Sequence, residues 1–233
     1  MLDQSEQVEQ ILPTVYLLAI RGNLLPPTME AAQTIHNETA GAPANVAAAR
    51  ALGDLSHMVY IPTDRPKSEA GEFLILDLWN SMNGLNQFFA NPQVQEQGGR
   101  IFRSSAPVVW APAEGFNTYH YPAPSNKTER IVAIVRGIVP SRAEARKRHN
   151  AIMAKQVSKS RMAGNMSHEA YFKLAPPGTP ETLEFFAVDV WMSASGMNSY
   201  YQDPEFQRSF HELFTAPPTT STWSHPIGEW VEW

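Results

Sequence analysis

The chain has 233 residues, of which 43% are hydrophobic and 18% are charged, and its formal net charge is −5. This length accommodates one large domain or two of about 100 residues each, and the composition is typical of a globular protein with a sizeable core. The negative charge and the absence of a long basic run argue against nucleic-acid binding. The chain has no Cys, which excludes disulfides, thiolate nucleophiles and Cys-ligated zinc.

The N-terminal sequence MLDQSEQVEQILPT is acidic and lacks the apolar core of a signal peptide. Elsewhere no stretch approaches the roughly 18 apolar residues that a membrane helix needs. We therefore expect a cytoplasmic protein that does not bind membranes.

One stretch of the chain occurs twice. Residues 77–95 read DLWNSMNGLNQFFANPQVQ and residues 189–207 read DVWMSASGMNSYYQDPEFQ, and RALGDLSHMVY upstream of the first matches RMAGNMSHEAY upstream of the second. Such similarity within one chain predicts two copies of one structural unit. The predicted organisation is repeat one at 14–112, a linker rich in turn-forming residues at 113–129 and repeat two at 130–233.

Each repeat begins with a predicted strand and helix. The strand is expected at 15–22 in repeat one and at 131–138 in repeat two, where an apolar run is bounded by Gly and Pro. The helix follows a start signal, which is Thr28 in repeat one and Ser141, with Glu144 three residues later, in repeat two.

Two further strands follow in each repeat. The second strand is expected at 56–62 and 167–175, and the third at 73–79 and 184–191. Apart from one Asp, and Glu184 at the start of the second copy, the third strand is apolar at successive positions, so both of its faces should be buried. We expect helices to cover one face and a second sheet to cover the other.

The repeated stretch forms the corner after the third strand. We predict a turn at Gly84 and at Gly196, followed by a short helix that restarts at Pro92 and at Pro204, where proline is tolerated. The fourth strand of each repeat carries a Trp, which is Trp110 in repeat one and Trp223 in repeat two.

This element order, with a strand ending in Asp-x-Trp-x-Ser before a helix with paired aromatics and Asn/Asp-Pro, resembles the dimeric α+β barrel superfamily, particularly antibiotic-biosynthesis-monooxygenase-like domains. The resemblance implies an α+β fold in which two ferredoxin-like β-α-β-β-α-β repeats pack sheet to sheet as a pseudo-dimer. It also implies an oxidoreductase that oxygenates an electron-rich aromatic without a cofactor. Many members carry a His in the second helix, whereas this chain has Phe88 and Tyr200 there.

Six polar residues shared by the repeats are the catalytic candidates. Helical periodicity and strand alternation place them among apolar neighbours. Because sequential strands usually pair, each strand His should lie close to the Asp of the next strand. Such a pair could act as a general base, or could be a structural tie in which His and Asp satisfy each other. The candidates are His36, His57, Asp77, His149, His168 and Asp189.

Aromatic and amide residues near these pairs are the predicted substrate-binding residues. The two Trp could stack on an aromatic substrate or belong to the core. Each Asn follows a helix His, and adjacent residues on a helix are expected to point in different directions. Hydroxyl groups present in repeat two alone should make the two sites unequal. The predicted residues are Trp79, Trp191, Phe88, Tyr200, Tyr201, Asn37 and Asn150.

Several interpretations of the site stay open. The resemblance implies no cofactor, and we assign no metal site. Two His and one Asp per repeat match the ligand types of an iron or zinc site, but their spacing is not that of a local metal motif, so iron is kept only as an alternative. The alternatives are haem held axially by His36 or His149, and a cyclase, isomerase or lyase with the same base. A non-catalytic binding or stress protein with structural His–Asp pairs is the alternative outside enzymes. We expect a small-molecule substrate and leave a homo-oligomer open.

Overall fold

The computed structural model describes residues 14–121 and 130–233, so part of the predicted linker, 122–129, lies outside the described residues. The first half contains β1 Tyr16–Leu24, α1 Met29–Glu38, α2 Pro43–Ala51, β2 Asp54–Pro62, β3 Glu72–Trp79, α3 Met82–Phe89, α4 Pro92–Ile101 and β4 Phe102–Pro112. A short strand, β5 Tyr119–His120, follows. The second half contains β6 Ile131–Ile138, α5 Arg142–Met162, β7 Asn165–Lys173, β8 Glu184–Trp191, α6 Ala194–Tyr201, α7 Pro204–His211 and β9 Thr219–Ser224.

The helix start signals act as predicted. Thr28 Oγ1 accepts a hydrogen bond from Ala31 N at 3.2 Å, and Ser141 Oγ accepts one from Glu144 N at 3.1 Å. Each side chain thereby satisfies one backbone N–H that the first helical turn leaves without a partner.

The first helix of the first half is broken, which differs from the single helix predicted. Residues 39–42 interrupt it between α1 and α2, whereas α5 runs without a break for 21 residues. Pro43 explains why the helix restarts there, because proline lacks an N–H and clashes with the carbonyl four residues before it.

The strands form one closed barrel. Their order is β4-β1-β3-β2-β9-β6-β8-β7, and pairing of β4 with β7 closes the ring. Each half therefore has the ferredoxin-like order 4-1-3-2, and the predicted α+β barrel is confirmed. The two halves join by hydrogen bonds at their edges, at Ile61↔Ser224 and at Trp110↔Lys173, in addition to facing each other across the barrel.

Both faces of the central strands are buried, as the apolar pattern predicts. One set of alternating side chains, including Leu74, Leu76 and Trp110, fills the barrel interior with their counterparts from the second half. The other set, including Phe73 and Trp79, packs against the helices outside. The candidate residues lie on this outer, helix-covered face.

The corner glycines belong to helices, so the predicted turn at Gly84 and Gly196 is wrong. Both residues lie in the first turn of a helix, α3 or α6, capped by the Ser three residues earlier. A Cβ at Gly84 would lie 1.7 Å from Leu52 O, and one at Gly196 would lie 1.9 Å from Ala163 O. The repeated Gly is therefore needed for close approach to the end of the preceding helix.

The second strand of each half starts two residues earlier than predicted, at Asp54 and at Asn165. This shift brings position 54 onto the sheet beside the candidate site. Across the described ranges, none of the helices combines the length and the apolar character required to cross a bilayer.

Candidate functional site

Each half contains a buried chain of hydrogen bonds from a strand carboxylate to a helix amide. In the first half, His57 Nδ1 lies 2.8 Å from Asp77 Oδ1, and His57 Nε2 lies 2.9 Å from His36 Nε2. His36 Nδ1 lies 3.0 Å from Asn37 Oδ1. The hairpin of β2 and β3 sets the first link, because His57 and Asp77 are register partners.

The second half repeats this chain. His168 Nδ1 lies 2.8 Å from Asp189 Oδ1, and His149 Nε2 lies 2.8 Å from His168 Nε2. His149 Nδ1 lies 3.2 Å from Asn150 Oδ1. The predicted proximity of His and Asp is present in both halves. The contact between the two His was not predicted, and neither Asn points away from its His as expected.

Each of these hydrogen-bond chains is covered by a segment from the end of the other half. Residues 225–233 cover the hydrogen-bond chain of the first half, where the ring of Trp230 lies 5.1 Å from that of His36 and the ring of Trp233 lies 4.6 Å from that of His57. Residues 113–121 cover the second, where Phe116 lies 5.0 Å from His149. We call these segments the caps, and they are crossed between the halves.

The caps fix the orientation of the Asn side chains. Asn37 Nδ2 donates to Glu229 O at 2.7 Å, and Asn37 Oδ1 accepts from Val231 N at 3.0 Å. The Oδ1 atom therefore faces His36 Nδ1, which must carry a hydrogen. His57 Nδ1 also carries a hydrogen, which it donates to Asp77, and a third hydrogen lies between the two Nε2 atoms. Two neutral imidazoles carry only two such hydrogens, so the pair has one positive charge, which the Asp77 carboxylate neutralises.

The pKa values show where this charge resides. Burial, and then the charge of His57, lowers the pKa of His36 from 6.5 to about 4. Burial also acts to lower the pKa of His57, but the charge and hydrogen bond of Asp77 outweigh it, so the pKa is raised. In the second half the pKa of His149 is likewise about 4 and that of His168 is raised. In each pair, the surroundings of the strand His therefore favour its protonated form and those of the helix His its neutral form.

The hydrogen-bond chains of the two halves differ in the space beside them. A cavity of about 690 Å³ lies beside His57 and Asp77, between the sheet and helices α2, α3 and α4. Beside His168 and Asp189 the space is about 50 Å³. Binding sites for small molecules have volumes of about 300–1,000 Å³, so the first cavity is in this range and the second is far below it.

Side-chain size explains the difference. In the ungapped alignment of α4 with α7, Val94 corresponds to Phe206 and Gly98 to Phe210. Both Phe side chains line the small space of the second half. In the first half, a Cβ at Gly98 would have no heavy atom within 4 Å. Two short side chains in α4 therefore leave open the volume that two aromatic rings fill in α7.

The two aspartates also differ in their hydrogen bonds. Asp189 Oδ2 accepts from the hydroxyl of Tyr201 at 2.9 Å, and Asp189 Oδ1 accepts from Asn165 Nδ2 at 3.4 Å. The corresponding residues of the first half are Phe89 and Asp54, which supply neither donor. Within residues 14–121 and 130–233, His57 is the only donor to Asp77, so Oδ2 is left for a ligand.

Asp54 is a cavity residue that was not among the candidates predicted from the sequence. It lines the same cavity as Asp77, is 4% exposed, and its Oδ1 has no donor within the described part of the chain. Burial, and then the charge of Asp77, raises the pKa of Asp54 from 3.8 to about 7. The difference between Asp54 and Asn165, inside an otherwise similar stretch, was the signal that could have identified it.

The predicted substrate-binding residues divide between the halves. Trp79 and Phe88 line the large cavity. Trp191, Tyr200 and Tyr201 surround the small one, where they pack against one another. Asn37, Asn150 and His36 line neither space, whereas His149 lines the small one. Each Asn is hydrogen-bonded both to its His and to the cap.

The residues present do not fit an axial His ligand to haem. Both ring nitrogens of His36 are hydrogen-bonded within the protein, and the same is true of His149. The space of about 50 Å³ beside His149 is also too small for a porphyrin. Among residues 14–121 and 130–233, no three His, Cys, Asp or Glu side chains are placed to hold a metal ion.

Several solved structures share the fold over more than nine tenths of the chain. An anthrone oxidase-like protein is 15% identical with a TM-score of 0.60, and 92% of each chain is covered. A candidate monooxygenase from Fusobacterium nucleatum subsp. nucleatum is 10% identical with a TM-score of 0.62, covering 93% of this chain and 94% of that one. A chlorite dismutase variant from Candidatus Nitrospira defluvii is 12% identical with a TM-score of 0.51, covering 91% of each.

At these identities the similarity shows the shared dimeric α+β barrel fold, which confirms the resemblance at that level. No protein-family model and no curated protein matches the sequence.

Proposed function

We propose that the protein is a small-molecule enzyme that acts in the cavity of the first half, with Asp77, supported by His57, as the general base. The observation that carries the proposal is the asymmetry of the halves. The same His–His–Asp chain borders about 690 Å³ in one half and about 50 Å³ in the other.

The lining of the cavity favours an aromatic substrate. The partly exposed rings of Phe88 and Phe89 form one wall, with the fully buried Trp79 packed against them, and the ionisable groups lie together at the sheet. Mutual ring contacts of Trp79 with the two Phe, at 5.7 and 6.1 Å, hold this wall in place. A planar apolar ligand can stack there while its reactive carbon faces the carboxylate.

The atom that accepts the proton is Asp77 Oδ2. Both nitrogens of His57 are engaged, one by Asp77 Oδ1 and one by His36, so neither is directed at the cavity. The positive charge on His57 keeps Oδ1 occupied and orients the carboxylate, which leaves Oδ2 towards the substrate. His36 and Asn37 are positioning residues in this arrangement.

The proposed reaction oxygenates an activated CH₂ group of an aryl ketone without a cofactor. Asp77 removes a proton, and the electron pair left on carbon is delocalised into the carbonyl group. The carbanion reduces O₂ and a C–O bond forms, which gives a hydroperoxide when the proton returns. Loss of water leaves a second ketone, so that CH₂ and O₂ become C=O and H₂O. The names of the structural neighbours, anthrone oxidase-like and monooxygenase, support this class.

Anthrone is a suitable probe because it has such a CH₂ group. We expect the wild-type protein to accelerate oxygen uptake and anthraquinone formation. Asp77→Asn should lower the rate by about 10²–10⁴-fold, which is the usual contribution of a general base. Oxygen uptake and absorbance measure both quantities.

Asp189→Asn is the matched control, because Asp189 has the same place in the closed half and should keep the wild-type rate. A loss as large as that of Asp77→Asn would assign a structural role to both aspartates and contradict the proposal. Gly98→Phe, which copies Phe210 into α4, should lower the rate by filling the cavity while Asp77 stays intact.

A further inference from the structure

Asp54 and Asp77 lie on adjacent strands and line one cavity. Asp54 is the register partner of Trp79, and His57 is that of Asp77, with an irregularity between Asp54 and Ser56. Diagonal neighbours on paired strands are about 7–8 Å apart, so one small molecule can contact both carboxyl groups. Both line the cavity.

The surroundings of Asp54 favour its neutral form. Its Oδ1 is buried and has no donor in good hydrogen-bond geometry among the described residues. Burial and the charge of Asp77 raise the pKa of Asp54 and outweigh the Ser56 N–H and the Trp233 side chain, which act to lower it. An ionised carboxylate with an oxygen that lacks a donor is costly to bury, whereas a protonated carboxyl can donate a hydrogen bond. The pKa of Asp54, raised to about 7 first by burial and then by Asp77, agrees with this.

The charged groups around Asp54 come from several elements. Asp77 on β3 and His57 on β2 form a compensated pair, and Arg103 on β4 lies at the cavity lining. Glu232, from the cap, acts on His57. Because the charges of Asp77 and His57 cancel, a protonated Asp54 adds no charge beside them, which suits a neutral ligand.

We propose that Asp54 is a second catalytic residue, which in its protonated form donates to the carbonyl oxygen of the substrate while Asp77 removes the proton from carbon, and that the substrate is a neutral, enolisable aryl ketone. This inference rests on the proposed function. The C–H bond breaks, its proton goes to Asp77 Oδ2, its electron pair forms the C=C bond of the enol, and the carbonyl oxygen takes the proton of Asp54. One proton enters the substrate as one leaves, so the net charge of the cavity is unchanged. Return of the oxygen-bound proton to Asp54 gives the delocalised carbanion that reduces O₂.

The second half supplies the natural contrast. Its residue at this position is Asn165, which donates to Asp189 and whose Oδ1 accepts from the hydroxyl of Tyr119 at 2.6 Å. An amide at this position cannot act as an acid. The half without the acid is also the half without the large cavity, as expected if the acid serves a bound substrate.

The test is exchange of the CH₂ hydrogens of anthrone in D₂O without oxygen, followed by NMR against pH. The wild-type rate should fall as pH rises through about 7. Asp54→Ala should lower the rate by about 10²-fold. Asp54→Asn keeps a donor, so it should retain more activity and lose the pH dependence near 7. Asn165→Ala should leave the rate unchanged.

The outcomes separate the two proposals. Wild-type exchange no faster than that of Asp77→Asn would overturn the proposed function. Slow exchange in Asp77→Asn together with wild-type exchange in Asp54→Ala would overturn the inference alone. An infrared difference spectrum of wild type and Asp54→Asn needs no turnover. It should contain a protonated carboxyl band at pH 5 that disappears above about 7, and its absence would also overturn the inference.

Discussion

At the scale of residues, the same catalytic candidates have different surroundings in the two halves. The His–His–Asp–Asn chain has nearly equal distances in both. Its neighbours differ, because Asp54 and Phe89 in one half correspond to Asn165 and Tyr201 in the other. The identity of a buried ionisable group therefore says less about chemistry than do the donors and the space beside it.

The helix His residues should make folding sensitive to acid. The pKa of His149 is lowered from 6.5 to about 4. His149 of the unfolded chain is therefore protonated below pH 6.5, whereas His149 of the folded chain is protonated only below about pH 4. Stability is thus present above 6.5 and lost as pH falls to about 4, by about 3 kcal/mol in total. His149→Gln should reduce this slope in urea unfolding measured across the same pH range.

Asp54 should change the pH dependence of stability in the opposite direction. Its pKa is raised from 3.8 to about 7, so its contribution is present below 3.8 and lost as pH rises through about 7. Asp54→Asn should therefore make the rise of stability with pH steeper, opposite to His149→Gln. Equal slopes in the wild type and both variants would contradict the assignment of these charges.

The contact between His57 and Asp77 could be predicted from the sequence, whereas the place of Asp54 could not. Alternation along β2 and β3 is a local property of the sequence, and it was enough to place His57 beside Asp77. Asp54 was not identified in this way because it lies beyond an irregularity in the pairing, where alternation no longer tells which face a side chain occupies.

At the scale of elements, the corner between the third strand and the following helix is set by steric contact. Gly84 and Gly196 meet the last carbonyls of α2 and α5. The sequence shows a repeated Gly, which is typical of a turn, but the requirement comes from a helix about 30 residues earlier and is not visible locally.

Replacement of Gly84 by Ala should be strongly destabilising. The added Cβ would lie 1.7 Å from Leu52 O, so backbone must move, at a cost of about 3 kcal/mol. Thermal or urea unfolding measures the change, and Gly196→Ala should behave alike. Gly98→Ala is the matched control, because open space surrounds it and alanine favours a helix by up to about 1 kcal/mol. Equal stabilities of the Gly84 and Gly98 variants would show that the corner tolerates a side chain.

At the scale of the whole molecule, the two halves depend on each other. They share strand pairing at two seams, and each covers the hydrogen-bond chain of the other with its cap. Arg21 also lies over the ring of Trp223 at 5.1 Å, and Arg136 over that of Trp110 at 5.6 Å. The repeat in the sequence predicts two similar halves. It does not predict the crossed caps, which join residues such as Asn37 and Val231 that are far apart in the chain.

Separately produced halves should therefore not fold alone. Residues 14–121 and 130–233, expressed as two chains, each lack the cap and the neighbouring edges. We expect each to be largely unfolded by circular dichroism, and an equimolar mixture to regain structure as a one-to-one complex in sedimentation. A stable folded monomer of either half would contradict this interdependence.

The fusion of both halves in one chain has a consequence for how the protein can change. In a dimer of identical subunits, every substitution occurs twice, so a residue that closes one cavity closes its twin. Here Phe210 and Gly98 are encoded separately, and so are Asn165 and Asp54. One half can therefore fill its space with aromatic rings while its cap still covers the hydrogen-bonded side chains of the other half. In a homodimer every substitution preserves the symmetry, whereas in this chain a single substitution changes one half alone.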